Sequence, residues 1–131
     1  MSPTITALYG GLLGLLYIAL CFQVVSHRRR AKVGLGTASD TALERAVRVH
    51  GNFAEYAPLF LVLLLAAELN GGPVALLHVF GAAFFLARVG HAFGLARSSG
   101  TSFGRFYGTL FTWIAILALS VVNIWLALSS A

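Results

Sequence analysis

The sequence predicts an all-α integral membrane fold, a bundle of four antiparallel transmembrane helices, and three observations carry that prediction. Of 131 residues, 59% are hydrophobic and only 10% are charged, where soluble domains carry roughly a quarter charged residues. Four apolar segments each exceed the ~20 residues needed to cross a hydrocarbon core. The connections are short, so neighbouring helices should run antiparallel. The length suits one domain spanning residues 1–131.

The first helix is expected at about Pro3–Ser26. Its positive charges follow the apolar run, which is too long for a secretory signal. Val33–Asp40 (VGLGTASD) reads as a glycine-containing loop, with Asp40 or Thr41 as N-cap of a second helix at about Thr41–Leu69. Pro58 should kink that helix. The third, at about Pro73–Arg97, carries Gly81, Gly90 and Gly94, which permit close helix approach. The fourth, at about Phe103–Leu128, has Trp113 and Trp125 towards its ends, where aromatic belts are expected.

Basic residues fix the expected orientation. Arg28, Arg29, Arg30 and Lys32 lie in the first loop, Arg97 and Arg105 flank the third, and Asn70–Pro73 has none. The positive-inside rule then puts loops one and three in the cytoplasm. These charges sit at helix ends, as topology determinants do, which sets nucleic-acid binding aside. Arg28–Arg30 and Lys32 are most simply such anchors and lipid-phosphate contacts. Cys21 is the single cysteine, so neither a disulfide framework nor a metal site is expected.

Glu44–Tyr56 (ERAVRVHGNFAEY) places seven polar or ionisable side chains at the entrance of an apolar helix. Charge there is expensive and marks a functional site by default. Arg48, Asn52 and Glu55 fall at i, i+4 and i+7, one helical face, and Glu44 can pair with Arg48. Arg88 and His91, at i and i+3 on the third helix, reach a similar depth from the opposite chain direction. Arg28–Arg30 and Arg105 belong to the same level, so all four helices should converge on one polar pocket. A cation, an amide and a carboxylate on one face suit a small zwitterionic ligand. The bland reading of Arg48 with Glu44 or Glu55 is a structural ion pair, and of His91 an interhelical hydrogen bond. His78, Glu68 and Asn123 read as structural or interfacial.

The helix-2 pattern E-R-x-x-R-x-H-x-N-x-x-E at Glu44–Glu55, followed by Tyr56, resembles that of the membrane-associated proteins in eicosanoid and glutathione metabolism. The similarity extends to Phe22–Arg29 (FQVVSHRR) and to Leu86–His91 (LARVGH), so it covers nearly the whole chain. It implies a homotrimer with glutathione bound between subunits at the cytoplasmic side. Arg48, Asn52, Glu55 and Tyr56 match family glutathione contacts. His50 matches a position near the peptide, and His91 one that is Tyr or His; Arg88 shares the helix-3 motif. Arg29 resembles the helix-1 arginine near the thiol, and Arg105 is the candidate thiol-activating arginine.

The implied function is a glutathione transferase or peroxidase acting on lipophilic electrophiles that arrive through the bilayer, with glutathione as cosubstrate. Compact length and short loops look like the bacterial branch, and so point to a bacterial inner membrane. Leu95 stands where eicosanoid-synthesising members carry a tyrosine, which favours the alternative of a non-catalytic trimer binding glutathione or lipid. A small multidrug exporter would need a carboxylate in helix 1, and none is present there.

Overall fold

The computed structural model describes residues 2–97 and 103–129, with the side chains of residues 95–97 outside that description. Its helices are α1 (Thr4–Ala31), α2 (Thr41–Leu69), α3 (Val74–Arg97) and α4 (Phe103–Ser129). All four are long and apolar enough to cross a membrane. The expected bounds of α2 hold at both ends. α1 runs on past Ser26, because three arginines in its last turn suit the partial negative charge of a helix C-terminus. The predicted Ser98–Ser102 loop lies outside the described residues.

Local chemistry sets the helix ends. Lys32 closes α1 in the left-handed region, at φ 55°, and the Val33 amide donates to the Arg28 carbonyl at 3.1 Å. Asp40 is the N-cap of α2: one carboxylate oxygen accepts from the Ala42 and Leu43 amides at 2.8 and 2.9 Å. The Leu43 bond, helped by that from Ala42, holds the Asp40 carboxyl below its ordinary range against the cost of its desolvation. At the opposite end of the bundle, the buried Glu68 carboxylate accepts from the Ile5 and Thr6 amides at 2.8 and 2.7 Å. It satisfies amides that the first turn of α1 otherwise leaves bare. Tyr9 donates to the His78 carbonyl at 3.0 Å beside it, and Asn123 donates to the Leu63 carbonyl. Those polar residues are structural, as expected.

The core runs along the bundle axis. Phe60 of α2 stacks on Phe84 of α3 with centroids 3.8 Å apart, among the fully buried Leu13, Leu64, Leu77 and Leu119. The outer surface is equally apolar, with Leu15, Phe22 and Leu117 mostly exposed. Helices apolar all round belong in lipid. α2 continues through Pro58.

Glycines bring α3 and α4 backbone to backbone. A Cβ on Gly108 would stand 2.7 Å from His91 Cβ, and one on Gly104 would stand 2.7 Å from the Gly90 carbonyl oxygen. Gly94 faces the backbone of Gly104 and Arg105, while Gly81 makes room for the Tyr9 ring. Close approach was expected at Gly81, Gly90 and Gly94. It holds at Gly81 and Gly94, whereas a Cβ on Gly90 would meet nothing within 4 Å, and the α4 glycines Gly104 and Gly108 are what admit the Gly90 carbonyl and His91.

Candidate functional site

Tight α3–α4 packing sets His91 and Arg105 opposite the first turns of α2. Between them lies a cavity of about 250 Å³ lined by Thr41, Glu44, Arg45, Arg48, Asn52, His91 and Arg105. The α2 members fall at i, i+3, i+4, i+7 and i+11, which is one helical face. Three guanidiniums and one carboxylate line the cavity, so it is a cationic site suited to carboxylates, which arginine forks bind bidentately. A second cavity of about 330 Å³ shares Asn52, His91 and Arg105 and continues along Phe106, Thr109, Leu110 and Trp113. A polar chamber and a more apolar one therefore meet at three residues.

Four of the nine predicted site residues line the first cavity: Arg48, Asn52, His91 and Arg105. Arg88 is instead buried behind it. Its guanidinium donates to the Asn52 side-chain oxygen at 2.6 Å and to the Gly108 carbonyl at 3.2 Å. It also lies 5.5 Å from the centre of the Tyr56 ring. Arg88 thus holds Asn52 in place. Tyr56 accepts from the Trp113 indole at 3.1 Å, which puts Trp113 in an interhelical contact well inside α4, where a belt position was expected.

The remaining three lie elsewhere. His50 faces α1, with its Nε2 3.4 Å from Cys21 Sγ and its ring tilted on Tyr17 at 5.0 Å. Arg29 is exposed at the end of α1 and lines neither cavity. The expected convergence of four helices is therefore one of three, α2, α3 and α4. Arg28 turns away from the bundle to donate to the Gly34 and Gly36 carbonyls, each at 3.1 Å. Glu55 shares the angular position of Arg48 but sits two turns deeper, exposed on the outside of the subunit. Glu44 and Arg48 both reach the cavity, and among the described residues no ion pair joins them. Thr41 and Arg45 are additions; their i, i+4, i+7 spacing to Arg48 was the available signal.

Fold and site together define a multi-pass integral membrane protein with a cationic cavity at one end of its helix bundle. The family model described as MAPEG family matches residues 6–125. The chain is 33% identical over 127 residues to the inner membrane protein YecN of Escherichia coli (strain K12), covering 92% of this chain and 91% of that protein. The Escherichia coli O6:H1 protein of the same name matches to the same extent. The chain belongs to the MAPEG family.

Proposed function

We propose that the cavity binds glutathione and that the protein is a glutathione transferase or peroxidase acting on lipophilic electrophiles. One observation carries the reading: Arg45, Arg48 and Arg105 surround one chamber with Asn52 and His91. Glutathione has two carboxylates for the arginines and amides for Asn52. Arg105, where the polar and apolar chambers meet, stabilises the thiolate, because an electropositive setting raises the thiolate fraction. The thiolate sulfur then attacks the electrophilic carbon of a substrate drawn from the bilayer, and the leaving group departs with the bonding electrons.

The active assembly is a homotrimer, with glutathione at the subunit boundary. Glu55 supports this, because a carboxylate on the outer face of a spanning helix needs a partner. There it can meet the glutathione ammonium or a neighbouring cation. The basic α1–α2 loop faces the cytoplasm by the positive-inside rule. An impermeant thiol reagent added outside intact cells should leave a Thr37→Cys, Cys21→Ala protein unlabelled; labelling would reverse the orientation.

Catalysis is tested by conjugation of an activated aryl halide. Arg105→Ala should lower kcat steeply while glutathione binding changes little, the pattern of a group that acts on developing charge. Unchanged kcat in that variant would remove Arg105 from the chemistry. No conjugation or peroxidase activity in the parent would leave a non-catalytic glutathione-binding trimer, the reading that Leu95 favours.

A further inference from the structure

We infer that the α1–α2 connection is a docking surface for the headgroup of an anionic phospholipid. Length places it at the right depth. At 1.5 Å per residue the 28 residues of α1 run about 42 Å, whereas the hydrocarbon core is ~30 Å thick. The opposite end of α1 is fixed by Glu68 at Ile5 and Thr6. A core-crossing stretch counted from there ends near Val25, which leaves Arg28–Lys32 in the headgroup layer.

The side chains divide into one that builds the surface and three that are open on it. Arg28 is spent on structure, since its guanidinium holds the Gly34 and Gly36 carbonyls and folds the loop back on the helix end. Arg29, Arg30 and Lys32 are exposed, and among the described residues their side chains have no hydrogen-bonded or ion-paired partner. Between the two carbonyls that Arg28 holds, Leu35 is 91% exposed. An apolar side chain that water would reject is thus presented beside three unpaired cations.

A phosphodiester with hydrocarbon attached satisfies both features at once. Free phosphate would satisfy only the cations, and a zwitterionic headgroup would set an ammonium against them. Basic residues near an anionic membrane surface each contribute attraction that falls off within a Debye length. The occupant is therefore an anionic phospholipid, with its phosphate among Arg29, Arg30 and Lys32 and its upper acyl carbons on Leu35. None of these four residues lines the cationic cavity, so the surface stands whether or not the cavity binds glutathione.

The test is equilibrium binding of an acyl-labelled phosphatidylglycerol to the purified, delipidated protein in neutral detergent. Unlabelled phosphatidylglycerol should compete at least roughly tenfold better than phosphatidylcholine, and millimolar inorganic phosphate should compete poorly. The triple variant Arg29→Ala, Arg30→Ala, Lys32→Ala should lose that preference, and Leu35→Ser should weaken binding while keeping it. If the triple variant does not fold, Arg29→Gln with Arg30→Gln in the natural background should show an intermediate loss. Equal competition by the two lipids would overturn the inference, as would an unchanged preference in the charge variants. Competition by inorganic phosphate as strong as by the lipid would make the surface a free-anion site.

Discussion

Asn52 ties the buried frame to both chambers. It lines the two cavities, and its side-chain oxygen is held by Arg88, a residue only 2% exposed. A buried charge is kept where it makes several good contacts. Arg88 has three: the Asn52 amide, the Gly108 carbonyl and the Tyr56 ring. Arg88→Ala should therefore release Asn52 and leave the Gly108 carbonyl to the Thr112 hydroxyl, which donates to it at 2.7 Å. The expected loss is about 1.5–3 kcal/mol for charge-assisted hydrogen bonds, read as a lower unfolding midpoint in detergent, with weaker glutathione binding beside it. A variant as stable as the parent would show that the Arg88 bonds contribute nothing net. Spacing alone identified Arg88 as a polar residue at the depth of the site, but not which way it faced. His50 shows the same gap. Its position in the helix-2 motif was legible, yet the packing of α1 turns it towards Cys21 and Tyr17.

The α3–α4 pair positions the site at the scale of elements. Gly104 and Gly108 let α4 lie against Gly90 and His91, which brings Arg105 to the cavity. Gly108→Ala should push the helices apart at His91, costing about 1–3 kcal/mol for overpacking. It should also move Arg105, so thermal unfolding and conjugation should both suffer. Normal stability and activity would show that the close approach is not needed. The helices were legible because apolar composition, Asp40 and the Asn70–Pro73 turn mark them in sequence. The end of α1 was not. Arg28–Arg30 look like loop charge, but they sit comfortably in a last helical turn, and Arg28 then folds the following loop. The cavity's α2 face was legible from Arg48 and Asn52. Its continuation to Glu55 lies outside the cavity of the single subunit, because α3 and α4 cover only the first turns of that face and leave Glu55 on the outer surface.

Across the whole molecule, the structural polar groups and the cationic site are kept at opposite ends. Glu68, Tyr9 and His78 fasten one end of the bundle, while the arginine-lined cavity and the basic loop occupy the other. That asymmetry matches a protein that takes a soluble anionic ligand from one side of the membrane and a lipophilic one from within it. Under the proposed function, Glu55 on the outer face would extend the same logic to a neighbouring subunit. Native mass spectrometry of the detergent-solubilised protein titrated with glutathione tests both parts of this account in one spectrum. The account predicts a trimer that gains glutathione masses saturably, and an Arg48→Ala trimer with affinity about 10- to 100-fold weaker, as the loss of a charge-assisted hydrogen bond worth roughly 1.5–3 kcal/mol requires. An intact trimer that takes up no glutathione would contradict the proposed site, and monomers carrying glutathione would contradict its placement between subunits.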